Sequence, residues 1–319
     1  MNMDEFALIK RYFTRRTPRS PHVVLGIGDD AAVLDIPAGM QLAVSVDTLV
    51  SGVHFPTSTE PYDIGYKALA VNLSDMAAMG AEPFAATLAL TLPQADEAWL
   101  QRFSGGFFDL AARYHVQLIG GDTTCGPLSI TVQIHGLLPQ GAALLRSGAR
   151  PDDAIYVTGT LGDAGLGLLA AQNKMTLPDP QRALDKLNRP EPRVLEGMAL
   201  RGIAGSAIDV SDGLLADLGH ILKASGAGAR LNLDALPLSP DVRACDEEQA
   251  HAIALSAGDD YELCFTVPSS KEAALKRAFE TFSCACTRVG VIEREPGLRC
   301  VRADGSLYVP KASGYDHFR

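Results

Sequence analysis

"PYDIGYKALAVNLSDMAAMGAEPFAATLALTL", Pro61 to Leu92, is the stretch whose reading decides the fold class. Its first part, up to Gly80, has helical periodicity, and its last nine residues, "FAATLALTL", read as a strand. It is the richest apolar region of the chain, yet Asp75, Glu82 and Pro83 interrupt it, so it is not a bilayer span. Outward from it the same alternation continues. Short Val/Leu/Ala-rich runs, "HVVLGIG" and "QLAVSVD" before it and "VQLIGGD" and "LSITVQIHGLL" after it, read as strands. "DEAWLQRFSGGFFDLAARYH" between them reads as a second helix, with Trp99, Phe103, Phe107 and Phe108 as core. Residues 4–16 read as an amphipathic helix with Phe6, Ile9 and Phe13 on one side, followed by the basic loop "RRTPRSPH". Several strand pairs are close enough for antiparallel pairing, so the reading is α/β (α+β) with mixed sheets.

Polar turn residues in "LLRSGARPDDAI", Leu144 to Ile155, mark a linker. The second half then repeats the style with "AIYVTG", "SAIDVSDGLLADLGHILKASG", "ARLNLDALPL" and "YELCFTVP". Two domains are expected, residues 1–148 and 149–319, each of ordinary size. With 47% hydrophobic and 21% charged residues the chain is of globular composition, and a net charge of -10 argues against a general nucleic-acid or anionic-membrane surface. The N-terminus has no apolar signal core, and of the six cysteines none forms a C-x-x-C pair. They read as reduced, mostly buried thiols of a cytoplasmic protein.

Acidic residues recur beside glycine, serine or threonine in these apolar runs. "GIGDDAAVL" carries Asp29 and Asp30, "SVDTLV" Asp47, "LSDMAA" Asp75 and "IGGDTT" Asp122. "AIDVSDGLLADL" adds Asp209 and Asp212, and "GDDYELCF" adds Asp259, Asp260 and Glu262. The pattern is that of strand ends and tight turns converging on a cleft. One such acid is usually a turn residue or a helix N-cap, and Asp212 and Asp217 could start an exposed helix. A pair such as Asp29 and Asp30 in an apolar setting needs a cation, donors or water. Oxygen ligands without a His or Cys cluster favour Mg²⁺ or Ca²⁺ over zinc, and so many acids suggest several ions around a polyphosphate. The glycines of "GIGDD" and "IGGDTT" allow the backbone to approach an anion. "TGTLGDAGLGLL" does not fit G-x-G-x-x-G and reads more as close packing than as a dinucleotide site. Neither a Walker loop, a protein-kinase motif set nor a G-x-S-x-G elbow occurs.

The ordered set "GIGDDAAVL", "SVDTLVSGVHF", "YKALAVNLSDMAAMGAEP", "LIGGDTT", "RSGARPDD", "AIDVSDGLLADLGHI", "GDDYELCF" and "GYDHF" resembles the thiamine-monophosphate kinases. These belong to the aminoimidazole ribonucleotide synthetase-like, ATP-binding superfamily. The resemblance runs nearly end to end and implies a two-domain fold with helices packed on one side of mixed sheets. It implies transfer of the ATP γ-phosphoryl group to thiamine monophosphate, without a phosphoenzyme. By motif position Asp30, Ser45, Val46, Asp47, Asp75, Asp122, Asp209 and Asp212 would form a network for several Mg²⁺ ions, Val46 through its carbonyl. Gly121, Asp122, Arg146 and Ser211 would hold ATP, and His54, Asp260 and Tyr315 would contact thiamine monophosphate. The resemblance also implies a homodimer with an ATP- and Mg²⁺-binding N-terminal domain and a C-terminal domain completing the substrate site. No catalytic acid or base is assigned, because the acceptor phosphate is already ionised near neutral pH.

Without the resemblance, Arg146 could as well form an interdomain salt bridge, and His54 and Tyr315 could be packed residues. Other superfamily enzymes share the carboxylate and ATP logic. Selenophosphate synthetases and hydrogenase-maturation proteins are disfavoured, because no Cys precedes Cys125 and the sequence ends in "HFR". A non-catalytic acidic metal-binding scaffold predicts metal binding without nucleotide turnover.

Overall fold

The structure, a computed structural model, describes residues 5–14 and 19–315, with side chains from Ala7 onward. The expected helix over 4–16 is observed as α1, Glu5–Tyr12; residues 4, 15 and 16, the Phe6 side chain, the basic residues 15–18 and residues 316–319 lie outside the described residues. The chain divides into two compact units, Met1–Met76 with Ala81–Gly141, and Ala77–Gly80 with Ala142–Arg319.

In the first unit β1 (Val23–Leu25) and β2 (Val33–Leu34) form a small antiparallel pair. A four-stranded sheet follows from β3 (Met40–Val50), β4 (Glu82–Leu92), β5 (Gln117–Cys125) and β6 (Ser129–Pro139), ordered β3-β6-β4-β5. Only β4 and β5 run parallel, and α3 (Glu97–Arg113) makes the crossover between them. The mixed pairing matches the sequence reading. α2 (Pro61–Met79) is apolar nearly all round, with Leu69, Leu73 and Met76 buried, as expected of a helix enclosed by its domain. α2 and α3 touch backbone to backbone: a Cβ on Gly65 would lie 2.0 Å from the Phe103 carbonyl oxygen. α3 starts cleanly because Asp96 caps it, accepting N–H groups from Ala98 and Trp99.

β3 forms one edge of this sheet. Its alternate residues Leu42, Val44 and Val46 are 40%, 50% and 58% exposed, a stripe of apolar side chains on one face of an edge strand. No described helix is long and apolar enough to cross a membrane.

The second unit is built on seven strands: β7 (Ala154–Thr158), β8 (Ser206–Asp209), β9 (Gly228–Asn232), β10 (Leu263–Val267), β11 (Cys286–Glu293), β12 (Gly297–Val301) and β13 (Leu307–Tyr308). Their order is β13-β12-β9-β11-β7-β10-β8. Helices α4 (Asp163–Ala171), α5 (Gln181–Asn188), α6 (Val194–Ala199), α7 (Leu214–Ser225), α8 (Pro240–Arg243), α9 (Glu247–Ser256) and α10 (Glu272–Phe279) complete it. Leu214, Leu218, Ile221 and Leu222 of α7 pack with Ile208, Val210, Leu231 and Cys264 in the main core. Glu262, directly before β10, is buried and anchors Arg193 through two hydrogen bonds of 2.6 Å and Thr158 through one of 2.7 Å. All six cysteines are free thiols, but only Cys264, Cys284 and Cys300 are buried, fewer than expected.

Candidate active site

The two glycine–aspartate motifs of the first half meet. The segment 27–32 and β5 line one cavity of about 870 Å³, which receives Asp29, Asp30, Gly120, Gly121 and Asp122. Lys10 from α1 is the cation among the described residues lining it, against the three carboxylates of Asp29, Asp30 and Asp122. Asp29 and Asp30 are exposed, so the apolar sequence around them does not desolvate them; Asp29 Oδ1 accepts the Asp30 N–H at 2.9 Å and shapes the turn. Gly121 and Asp122 lie within β5, not in a turn. Gly121 has φ 146°, and a Cβ there would fall 1.8 Å from the Leu88 carbonyl oxygen, so only glycine lets β5 pass β4 this closely.

A second group lies on the β3 side. Ser45 donates its Oγ–H to Asp75 Oδ2. Asp47 and Val46 are mid-strand in β3, and Asp75 is inside α2, so these acids do not sit at strand ends as their flanking residues suggested. His54 follows β3, and its Nδ1 accepts the Val50 N–H at 3.0 Å. Lys67, 1% exposed, donates to the His54 carbonyl oxygen at 3.4 Å. Asp47, Val132, Leu88 and Gly121 pair in one row across the sheet. Asp47 and Gly121 are therefore at opposite edges, three strand spacings or about 14 Å apart. One copy of this unit presents its expected magnesium ligands as two groups.

The second unit assembles a third group. Asp209, 5% exposed, ends β8, and Ser211 and Asp212 occupy the turn between β8 and α7. The Ser211 carbonyl accepts the Asp259 N–H at 2.8 Å, and the Asp212 carbonyl accepts the Tyr315 N–H at 3.0 Å. Tyr315 is 49% exposed. Asp260 accepts N–H groups from Gly162 at 2.8 Å and Ala164 at 3.4 Å, occupying the start of α4. Burial pushes the Asp260 carboxyl well above the usual range, against these two donors. Two amides of "TGTLGDAG" are thus engaged by Asp260, and those of Gly159 and Leu161 by the Ala285 and Pro237 carbonyls, in keeping with a packing role for that segment. Arg146 is exposed, and its carbonyl meets Ser225 Oγ at 3.5 Å, at the far end of α7. Arg146 and Ser211 stand at opposite ends of this 12-residue helix, about 18 Å long.

Sequence reasoning passed over Lys67 and weighed Asp217 only as a residue that could start an exposed helix; it does lie in the first turn of α7, but is 2% exposed. The signal was present: Asp217 lies three residues after Leu214 and four before Ile221, on the apolar stripe of α7. Burial, with the Asp209 and Asp212 carboxylates beside it, pushes Asp217 up to about 8.

The donor set suits a hard divalent cation. Among the described residues no three His, Cys, Asp or Glu side chains are grouped so as to hold a metal by themselves. Magnesium commonly takes one or two carboxylates and completes its shell with water and substrate phosphates. The mutual repulsion of Asp209, Asp212 and Asp217 is the kind of charge crowding such an ion relieves.

Residues 28–138 match the model of AIR synthase related protein, N-terminal domain, and residues 150–302 that of its C-terminal domain. Over its full length the chain is 52% identical to the thiamine-monophosphate kinase of Escherichia coli (strain K12), covering 99% of that protein. The chain belongs to the thiamine-monophosphate kinase family. The Salmonella typhimurium family member is 53% identical, with 100% of this chain and 99% of that protein covered. The crystal structure of thiamine-monophosphate kinase from Stenotrophomonas maltophilia K279a superposes with a TM-score of 0.87 at 47% identity, covering 97% of this chain and 99% of that one. AaThiL complexed with AMPPCP and TMP gives 0.76 at 30% identity, covering 99% and 97%. The hydrogenase maturation protein HypE, at 23% identity and a TM-score of 0.77, shares the fold.

Proposed function

We propose that this chain transfers the γ-phosphoryl group of ATP directly to the phosphate of thiamine monophosphate, giving thiamine diphosphate and ADP, with several Mg²⁺ ions. The observation that carries the reading is the single cavity where "GIGDD" and "IGGDTT" meet, in a chain matching the family from end to end. The cavity's acids cannot bind a polyphosphate by themselves, since like charges repel. When bound, Mg²⁺ supplies the charge neutralisation that lets nucleotide and acceptor approach. Asp30 and Asp122 would hold it from the cavity, Ser45, the Val46 carbonyl, Asp47 and Asp75 from the β3 side, and Asp209 and Asp212 from the second unit. Gly121, Arg146 and Ser211 are assigned to ATP, and His54, Asp260 and Tyr315 to thiamine monophosphate. An acceptor phosphate oxygen forms the new P–O bond as the bond from the γ-phosphorus to the ADP oxygen breaks. No proton needs to be removed first, so the chain's part is positioning and electrostatics, and no phosphoenzyme forms. In this division of labour residues 1–148 bind ATP and Mg²⁺ and form the dimer, and residues 149–319 complete the acceptor site.

Purified chain with ATP, Mg²⁺ and thiamine monophosphate is expected to form thiamine diphosphate, followed by chromatography. EDTA is expected to stop the reaction and excess Mg²⁺ to restore it. Folded protein that makes no product at saturating metal would sink the assignment, and full turnover in EDTA would remove the metal.

We further propose that the working form is a cytoplasmic homodimer. The exposed stripe of Leu42, Val44 and Val46 is the support, as is the separation of the two acid groups on opposite edges of one sheet. A second copy laid over the stripe would bury it. Val44→Lys is expected to convert a dimer into a monomer in sedimentation velocity while keeping the circular dichroism of the parent. A parent chain that sediments as a monomer at micromolar concentration would defeat this.

A further inference from the structure

α7 carries a buried acid that the proposed chemistry does not use. Asp217 lies in its first turn, and Asp217 Oδ2 accepts the N–H of Asp212 at 3.0 Å and of Gly213 at 3.1 Å. The residue preceding the helix, Gly213, has no side chain to cap it, so Asp217 folds back to do so from within. The other fixed points of this turn are main-chain bonds, from Asp259 N–H to the Ser211 carbonyl and from Tyr315 N–H to the Asp212 carbonyl. Asp217 thus supplies a side-chain anchor to the segment that carries Ser211 and Asp212.

A cap alone does not require this residue. Ser, Thr or Asn satisfies orphan N–H groups as well, without a charge. A carboxylate buried beside two other acids costs stability. Its compensation is reach: one oxygen, Oδ2, takes the N–H groups of both Asp212 and Gly213 and so ties the turn to α7. At 2% exposure the carboxylate is also not open to take up a ligand directly.

We infer that Asp217 is a positioning residue for phosphoryl transfer, one that fixes the 211–213 turn so that Ser211 and Asp212 meet the metal-bound nucleotide, without touching either itself. The inference rests on the assignment of Asp212 to the magnesium network. Displacement of such a turn by about 1 Å is enough to cost on the order of 100-fold in rate.

The experiment compares Asp217→Asn, Asp217→Ala and Asp212→Asn in the full chain, measuring kcat, KM for ATP and the Mg²⁺ concentration for half-maximal rate. In Asp217→Asn the amide oxygen can still accept both N–H groups, so kcat and the Mg²⁺ requirement are expected within about threefold of the parent. Asp217→Ala is expected to lower kcat about 10- to 100-fold and raise the Mg²⁺ requirement, at a temperature where circular dichroism shows it folded. An Asn variant as impaired as the Ala variant would overturn the inference, because the charge would then be acting on the metal. Parent-like behaviour of Asp217→Ala, with Asp212→Asn impaired, would also overturn it while leaving the Asp212 assignment standing. Parent-like behaviour of Asp212→Asn would instead remove Asp212 from the network, and the inference with it. Should the Ala variant not fold, Asp217→Glu replaces it: the displaced carboxylate is expected to lose tenfold or more in kcat, and parent-like activity would count against positioning.

Discussion

Asp75→Asn is expected to leave the fold intact and to cut kcat by about 100- to 1,000-fold, the loss typical when one preorganised electrostatic group is removed from a polar transition state. The substitution is informative because it separates structure from charge. Ser45 Oγ donates to Asp75 Oδ2, and an asparagine oxygen can accept the same bond. Asp75 also sits inside a helix whose neighbours Leu73 and Met76 are buried, so its backbone is held by packing that the change does not touch. What disappears is a negative charge on a rigid element. Thermal unfolding of the variant is expected within a few degrees of the parent, with the rate loss only partly recovered by raising Mg²⁺. Near-normal turnover would take Asp75 out of the metal network.

Glu262→Ala is expected to act on stability, destabilising the chain by about 3–5 kcal/mol, the usual loss when one partner of a buried ion pair is removed. The Glu262 side chain is 1% exposed and that of Arg193 12%. Arg193 reaches it through Nε and Nη2, Thr158 adds a hydroxyl, and Lys186 Nζ stands 3.9 Å away. Removal of the carboxylate leaves a guanidinium in a dry site with its forked donors unmatched. Scanning calorimetry should show a fall in unfolding temperature on the order of 10 °C. Replacing both partners, as in Arg193→Met with Glu262→Met, is expected to recover much of the loss, since the uncompensated charge is then gone. A single variant as stable as the parent would mean that solvent reaches Arg193 freely.

Both predictions concern acids that the sequence made visible, and they show where such reading works. The flanking residues pointed to Asp75 and Glu262 as unusual, because an acid inside an apolar run has to be compensated. They did not say how. Asp75 proved to lie within α2 and Asp47 and Asp122 within strands, because a serine or glycine neighbour marks a turn only when the surrounding period breaks, and here it does not. The mixed four-stranded sheet was legible from long apolar runs such as "FAATLALTL". The last three strands in the chain, β11, β12 and β13, went unread, their apolar residues spaced among Arg, Glu and Gly.

The candidate site was legible as a set of motifs but not as a set of neighbours. Convergence of "GIGDD" and "IGGDTT" on a cleft was expected, but which acids share one cavity was not legible, since that depends on β5 lying at one edge of the sheet. Nor could spacing show that Asp47 and Gly121 occupy one row at opposite edges. Strand order is a long-range property, and periodicity along a run carries no information about it. The burial of Asp217 went unread for a related reason: a carboxylate on an apolar stripe looks like an error in the pattern until the amides it serves are seen.

The contact at Gly65 limits how this sequence can change over generations. What a larger residue would strike there is the Phe103 carbonyl, part of the main chain, which no exchange of side chains elsewhere can shrink. To admit even a methyl group the two helices would have to part, and α2 carries Asp75 ten residues, about 15 Å, further along. A seemingly mild alteration there would therefore disturb the seating of the helix that carries Asp75, and descendants of this chain have only glycine open to them at that position.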